Sequence, residues 1–189
     1  MELTNLIEKR RAYRSLHPVP IDEKTVSLLA ESARFSPSCF NNQPWRYVFV
    51  YDKQRLAEMF EALAKGNTWA RRASLIVAVV SDAEFDCRIK GRDYYLFDTG
   101  MATAFMILRA TDLGLVAHPI AGFDERKVKE LLGVPEGRTV ITLLIVGKHA
   151  ESMGAELSEK QVAWEKQRPE RLAPEKFAYH NGYNSDDAP

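Results

Sequence analysis

Three arginines lie within five residues near the start of the chain. Arg10, Arg11 and Arg14 each carry a planar guanidinium group, which pairs with phosphate oxygens through two parallel hydrogen bonds. A second cluster, called here the polar loop, occupies residues 36–45 and reads SPSCFNNQPW. Its Ser, Asn and Pro residues favour a turn, because such side chains bond to the nearby backbone or fix its angles. Together the two clusters predict an anionic cofactor with a polar ring system.

The arginine segment, residues 10–14, is by itself more typical of a solvated helix end, where cations favour the C-terminal dipole. The phosphate hypothesis therefore depends on the polar loop that follows it. The sequence contains no GxGxxG, GxxxxGK[ST] or GxSxG pattern. Its four histidines lack metal-ligand spacing, so we predict no metal site. Binding groups without an evident nucleophile or base suit an enzyme whose cofactor carries the chemistry.

Five single residues carry expectations of their own. His118 is expected to be a packed histidine and Trp45 a core anchor at the start of a strand. Cys39 and Cys87 form no CxxC pair, so we expect neither a metal knuckle nor a disulfide framework. Cys39 is expected to be a small buried thiol rather than a nucleophile. Asp98 lies on an apolar helix, where orienting a ligand, capping and helix pairing are all open roles.

Composition limits the class of protein. A chain of 189 residues with 46% apolar residues suits one folded domain rather than a disordered chain. Its 26 basic and 26 acidic residues give no net charge, unlike a general nucleic-acid binder. The apolar run at 75–80 is too short to span a bilayer, and the N-terminus lacks the pattern of a signal peptide. We expect a cytoplasmic protein with no nucleic-acid or membrane partner.

Hydrophobic periodicity predicts alternating helices and strands, which favours a helix-covered sheet over an all-helical or all-β fold. The longest predicted helix, residues 92–113, is apolar around most of its circumference in its second half. We therefore expect a central helix that is buried on several sides or shared with a partner subunit. The other predicted helices lie near 3–7 and at 22–33, 54–64 and 124–132, and the predicted strands are 46–51, 74–81 and 140–146.

The chain becomes polar and charged from Ala150 onward and cannot form a core of its own there. Scattered aromatic residues such as Trp164, Phe177 and Tyr183 favour an ordered arm that packs on the domain or on a neighbouring subunit. We therefore expect a single domain over residues 1–183 and a flexible tail at 184–189.

In combination, these motifs resemble those of the FMN-dependent nitroreductase family. Residues 10–14 look like its N-terminal Arg-rich motif, and the polar loop is similar to its PS-x-x-N-x-QPW loop. Further similarity is found in the long central helix (98–102 and 113–115), a flavin-facing loop (119–123) and a C-terminal segment (171–183). The resemblance runs through nearly the whole chain.

The resemblance implies an α+β homodimer with two tightly bound FMN molecules at the subunit interface. Its fold would be a helix-covered mixed sheet with a long central helix and a C-terminal arm over the partner subunit. The arginine segment would approach the phosphate and the ribityl or pyrimidine side, with Arg171 or Arg168 returning to the phosphate. The polar loop would come from the partner, and amides of Ala121 and Gly122 would lie near flavin N5. The implied cofactor-binding residues are Arg10, Arg11, Ala12, Arg14, Pro37, Ser38, Cys39, Asn41, Gln43, Pro119, Ile120, Ala121, Gly122 and Arg171.

The resemblance also implies a reaction, in which NAD(P)H reduces FMN and FMN then reduces a nitroaromatic, a quinone or a similar acceptor by a ping-pong mechanism. Two departures bear on it: Ala12 stands where many members carry Ser, and the short link at 81–92 leaves little chain to cover a substrate pocket. The alternatives are a specialised flavin enzyme of the same fold, of dehalogenase or oxidase type, and a non-enzymatic flavin-binding protein. A domain that binds another phosphorylated ligand is a third possibility.

Overall fold

Six α-helices and seven β-strands form the part of the chain that the structure, a computed structural model, describes: residues 2–183. No helix in this range is long and apolar enough to cross a lipid bilayer. The helices are α1 (Leu3–Lys9), α2 (Glu23–Arg34), α3 (Lys53–Phe60), α4 (Tyr95–Asp112), α5 (Glu125–Leu132) and α6 (Glu159–Lys166). The strands are β1 (Leu16–His17), β2 (Arg46–Val50), β3 (Leu75–Ser81), β4 (Arg88–Ile89), β5 (Arg92–Asp93), β6 (Val116–Ile120) and β7 (Thr139–His149).

Helix ends follow local capping signals. Asp22, Asp52 and Asp124 each accept a hydrogen bond from the backbone N–H three residues further on, which satisfies a donor in the first turn. Gly133 ends α5 with a φ of 66°, in the left-handed region that favours glycine. The predicted starts of α2 and α5 are confirmed, because both depend only on these neighbouring residues.

The five-stranded sheet has the order β1-β7-β3-β2, and β6 also pairs with β7. Leu75 of β3 lies opposite Val146 of β7, and Val50 of β2 lies opposite Ile76. Every strand pairing within residues 2–183 is antiparallel, whereas we expected a mixed sheet. Alternation of helices and strands identifies the layers but does not determine the direction in which each strand enters the sheet. The predicted α+β class is confirmed.

Helices cover both faces of this sheet. On one face, Leu29 of α2 and Met106 of α4 pack against Val77 of β3. On the other face, Met59 of α3 and the buried Trp69 pack in the cluster that contains Ile76. All seven residues of β3 are buried, which confirms the prediction of a strand covered on both faces.

Four of the strands, β1, β4, β5 and β6, were not predicted, and helices α4 and α6 also differ from the predictions. The central helix begins at Tyr95 rather than near 92, because β4 and β5 form a short hairpin that turns at Lys90 and Gly91, both with positive φ. Strand β6 was not predicted, since its sequence VAHPI contains His and Pro and shows no clear alternation. Helix α6 was not predicted either, since it has no apolar stripe. Its buried residue is the charged Glu165, which hydrophobic periodicity does not detect.

The absence of a disulfide was a wrong expectation. Cys39 and Cys87 are disulfide-bonded, with their Cα atoms 6.2 Å apart, so Cys39 is not a free buried thiol. The two residues are separated by 48 positions in the sequence, and only the folded chain brings the polar loop next to the segment that precedes β4. With Asp86 they form a cluster of metal-ligating atoms, but the bond occupies both thiols.

The C-terminal region packs on its own chain through α6, while nearly all of residues 171–183 are exposed. Leu172, Phe177 and Tyr183 are among the most exposed apolar side chains. The flexible tail predicted at 184–189 lies outside the described residues.

Candidate functional site

The arginine segment lies in the extended stretch between α1 and β1, where it borders a cavity of about 280 Å³. The end of α6 and the residues after it form the opposite wall. Five guanidinium groups therefore surround one cavity, although they come from the two ends of the chain. The lining residues are Arg10, Arg11, Ala12, Arg14, Trp164, Arg168, Pro169 and Arg171.

The charge of this cavity is unbalanced, because no acidic residue lines it. Burial lowers the pKa of Arg10, and the nearby Arg168 and Arg171 lower it further. A lowered arginine pKa means that the local environment disfavours the cation, and an anion in the cavity would reverse this effect. Phosphate fits such a site, since guanidinium groups bind its oxygens in pairs.

Arg168 also has a structural role. Its guanidinium donates to the backbone carbonyls of Glu8 and Arg10, the latter at 2.9 Å. Arg171 lines the cavity without such a backbone bond among the described contacts. Arg168 and Arg171, the two candidates for a phosphate contact from the C-terminal segment, therefore both border the cavity. They differ in that only Arg168 donates to backbone carbonyls among the described contacts.

Glu165 of α6 holds the arginine segment in position. Its side chain is buried and accepts hydrogen bonds from the backbone N–H groups of Arg14, at 2.7 Å, and Ser15, at 3.1 Å. In the same region, Arg11 donates to the carbonyl oxygen of Trp164 at 2.6 Å. These bonds join residues about 150 positions apart and fix both walls of the cavity.

Two indole rings lie next to Arg14 of the arginine segment. The Arg14 guanidinium lies 5.4 Å from the ring centre of Trp164 and 5.8 Å from that of Trp69. The Trp69 ring in turn lies 4.8 Å from His118 of β6, whose Nδ1 is 3.1 Å from the Tyr13 carbonyl oxygen. Burial lowers the pKa of His118 to about 4, so it is a neutral packed residue, as expected.

The polar loop has an unusual backbone. Phe40, Asn41 and Gln43 have positive φ values of 48°, 59° and 51°, a region that residues other than glycine rarely adopt. Within the loop, Ser38 Oγ accepts a hydrogen bond from the Gln43 amide at 2.9 Å. The buried Asp98 of α4 accepts one from the Cys39 amide at 2.6 Å, so its role is to cap the loop.

The end of β6 approaches the segment between α3 and β3 closely. The Gly122 carbonyl oxygen accepts hydrogen bonds from the Ala64 amide, at 3.1 Å, and from Asn67 Nδ2, at 2.9 Å. A Cβ atom at position 122 would lie 2.6 Å from Asn67 Nδ2, so only glycine fits without movement. Trp45 is buried in the core at the start of β2, as predicted.

The single chain brings only part of the predicted site together. The predicted residues of the arginine segment and Arg171 share the cavity, whereas the polar-loop residues and residues 119–122 do not line it. Sequence reasoning did not identify Glu165, Trp69 or Trp164 as parts of the site. A signal was available for Trp164, an aromatic residue in a polar region next to several cations. No comparable signal marks Glu165.

Comparison with known proteins identifies the family of the chain. A model of the Nitroreductase family matches residues 7–148, which include the arginine segment, the polar loop and the sheet. The chain is 28% identical over 150 residues to a candidate NADH dehydrogenase/NAD(P)H nitroreductase of Archaeoglobus fulgidus, covering 77% of this chain and 84% of that protein.

Two solved structures share the fold. One is described as an oxidoreductase containing FMN, with a TM-score of 0.84, 23% identity and coverage of 97% of this chain and 94% of the other. The second is a candidate nitroreductase of Exiguobacterium sibiricum in complex with FMN, with a TM-score of 0.72, 21% identity and coverage of 86% and 96%. The family match spans most of the chain and both polar clusters that the sequence singles out. The protein is therefore an oxidoreductase that belongs to the nitroreductase family.

Proposed function

We propose that this chain binds FMN tightly and uses NAD(P)H to reduce it, then transfers the electrons to a nitroaromatic, a quinone or a similar acceptor by a ping-pong mechanism. The observation that carries the proposal is the cavity of five guanidinium groups with no acidic lining residue. FMN in the described fold relatives and the nitroreductase name of the Archaeoglobus relative support the choice of cofactor and co-substrate.

The chain's own residues would bind and orient the cofactor. Arg10, Arg11 and Arg171 would hold the phosphate, and Arg14, which lies near two indole rings, would face the ribityl or pyrimidine side. Bound FMN supplies a site that accepts hydride from NAD(P)H and later releases it. Backbone amides near Ala121 and Gly122 would lie by N5, at the end of β6. Donors of this kind favour the anionic reduced ring and so tune its potential.

A homodimer would complete the site. The polar loop does not line the arginine cavity of its own chain, so we assign it to the cofactor held by the second copy. Large apolar side chains exposed on the single chain support such an interface: Phe40 is 82% exposed, Phe97 of α4 63% and Phe177 61%. A second copy that covers these residues, with the C-terminal arm over its partner, would remove apolar surface from water. We place the protein in the cytoplasm.

Affinity for FMN compared with riboflavin provides the sharpest test. Riboflavin lacks the phosphate, so Arg10→Ala should weaken FMN binding about 10- to 100-fold and leave riboflavin binding nearly unchanged. Arg126→Ala is the matched control, because Arg126 lies exposed on α5 beside Glu130 and does not line the cavity. Equal weakening of both flavins, or purified protein that takes up no FMN, would contradict the proposal.

Turnover separates the enzyme from a flavin-binding protein. FMN-loaded protein should oxidise NADH or NADPH in the presence of nitroaromatic or quinone acceptors, with parallel lines in double-reciprocal plots. Bound flavin with negligible turnover across both nicotinamides and several acceptors would instead favour a non-enzymatic flavin carrier.

A further inference from the structure

The disulfide of this chain lies at a functional position. Cys39 belongs to the polar loop, and Cys87 belongs to the segment between β3 and the β4–β5 hairpin. A second link between these elements is the hydrogen bond from Asn42 Nδ2 to Asp86 Oδ1, at 3.3 Å. Both cysteines are only half-buried. The bond is therefore a tether of the polar loop that a thiol reagent can reach.

The backbone of the loop needs such a tether. Phe40, Asn41 and Gln43 all adopt positive φ within four residues, and none of them is glycine. Backbone conformations of this kind persist only where the surrounding contacts impose them. Cys39 lies directly before this stretch, held by its disulfide and by the bond from its amide to Asp98. Opening the disulfide removes one of these contacts.

Two carboxyl groups lie near the disulfide, Asp86 beside the sulfur atoms and Asp98 at the backbone amide of Cys39. Asp86 accepts a hydrogen bond from the Cys87 amide at 2.8 Å, and Asp98 accepts one from the Cys39 amide at 2.6 Å. An oxygen of Asp86 and the two sulfurs all lie within 4.8 Å of one another. The second oxygen of Asp86, Oδ2, is buried, and it accepts no hydrogen bond from a backbone, amide or guanidinium donor of the described residues.

These carboxyl groups can hold a proton at the disulfide. Burial raises the pKa of Asp98, and the nearby Asp86 raises it further, against the opposing effect of the Cys39 amide. Reduction of a disulfide consumes two electrons and two protons, because each released thiolate must be protonated. Asp98 can hold the first of these protons, and its neighbour Asp86 has an oxygen within 4.8 Å of both sulfurs.

We propose that Cys39 and Cys87 are a redox-active pair, which cycles between disulfide and dithiol and thereby sets the conformation of the polar loop. A thiolate of a dithiol reductant attacks one sulfur, the S–S bond breaks, and the released thiolate takes a proton from the carboxyl pair. The second thiol of the reductant then attacks the mixed disulfide and loses its proton, which the other cysteine takes up as it is released, and the reductant leaves as a disulfide. Solvent returns a proton to the carboxyl pair. In the cytoplasm, where we place the protein, disulfides are mostly of this transient kind.

The effect on cofactor binding rests on the proposed function, since it requires the polar loop to contact FMN. The redox cycle itself does not. Anionic reduced FMN would be a second source of the two electrons and of one proton, with the other proton coming from the carboxyl pair, and the experiment distinguishes it from a dithiol in solution.

Thiol counting tests the cycle directly, because the chain contains only two cysteines. Air-oxidised protein as purified, kept folded, should show no free thiol, and anaerobic dithiothreitol should release two. The same release with NADH or NADPH alone, in FMN-loaded protein, would identify the flavin as a source. Folded protein that releases no thiol with either reagent, although unfolded protein releases two, would overturn the proposal. So would protein whose two thiols form no disulfide on oxidation.

Variants test the carboxyl group. Asp86→Asn should slow reduction by dithiothreitol about tenfold or more, because the carboxyl group beside the sulfur atoms is lost. Asp93→Asn is the matched control: Asp93 lies on β5 of the neighbouring hairpin and pairs with Arg88 at the surface, so its rate should equal that of the unmodified chain. Equal rates for the two variants would refute the role of Asp86.

Amide hydrogen exchange tests the loop. Residues 38–45 should exchange at least tenfold faster in the reduced protein and in a Cys39→Ser/Cys87→Ser variant, while amides of α2 and α4 stay unchanged. Unchanged loop exchange in both samples would refute the conformational effect. Protein that binds no FMN in either redox state would count against the proposed function and would leave the thiol count and the exchange data unaffected.

Discussion

Glu165 offers the most direct test of how the cavity is built. Its carboxylate accepts two backbone hydrogen bonds, from Arg14 at 2.7 Å and Ser15 at 3.1 Å, and it lies on a helix that begins about 140 residues later in the chain. Glu165→Gln preserves the size of the side chain. It leaves one oxygen acceptor and replaces the other by an NH₂ group, which faces a backbone N–H and cannot accept from it.

The expected loss of stability follows from these two bonds. A hydrogen bond to a charged group contributes about 1.5–3 kcal/mol, and a buried donor left without a partner costs about 1–3 kcal/mol. Removing a buried charge offsets part of this loss. We therefore expect Glu165→Gln to lower the free energy of unfolding by about 3 kcal/mol. For a domain of this size, the midpoint of thermal unfolding would fall by about 6–12 °C.

Thermal unfolding and flavin titration measure the two consequences. Glu159→Gln is the control, because Glu159 is exposed in the first turn of the same helix and should change stability by less than about 0.5 kcal/mol. FMN affinity should fall in the Glu165 variant more than riboflavin affinity, since the displaced segment carries the phosphate-binding arginines. A midpoint within about 2 °C of the control would refute the view that Glu165 holds the segment.

Three further predictions concern the shared site, the end of β6 and the buried histidine. Mixed dimers with Arg10→Ala in one chain and Asn41→Ala in the other should keep one intact FMN site per dimer; two equally damaged sites would contradict a shared geometry. Gly122→Ala should lower stability by about 1–2 kcal/mol by displacing the Asn67 side chain, and chemical unfolding should show partial recovery in a double variant with Asn67→Ala. The pKa of His118 is lowered from 6.5 in the unfolded chain to about 4 in the folded protein. Between pH 4 and pH 6.5 the unfolded chain therefore binds a proton that the folded protein does not. Stability should therefore fall by up to about 3 kcal/mol as the pH drops from 6.5 to 4, and His118→Gln should remove that slope in denaturant titrations.

Much of the fold could be predicted where a signal is local. Asp22 and Asp124 cap their helices through residues three positions away, and the apolar run of β3 leaves no exposed face. Strand direction, in contrast, depends on how the chain returns after each helix. β6 was not predicted because His118 and Pro119 are unfavourable or uninformative in a strand pattern. The segment forms a strand because it pairs with β7, which lies beside it only in the folded chain.

The same distinction between local signals and contacts made only in the fold applies to the candidate site. The three arginines at 10, 11 and 14 could be identified because like charges recur at short spacing next to a polar loop. Glu165 could not, since a glutamate in a polar helix looks like a solvated residue until the fold buries it against Arg14. The disulfide was missed for a related reason: 48 residues separate its ends, and no spacing rule connects them.

The positive charge that lines the arginine cavity has a consequence for the abundance of the protein. Burial of Arg10 and its repulsion by Arg168 and Arg171 work against the folded chain until an anion binds. If that anion is FMN, the cofactor acts as a folding ligand, and a free concentration 100 times its Kd adds about 2.7 kcal/mol to stability. Chains made faster than flavin is supplied would then unfold and be degraded more often. The amount of the protein in a cell would follow its flavin supply, without any dedicated regulator.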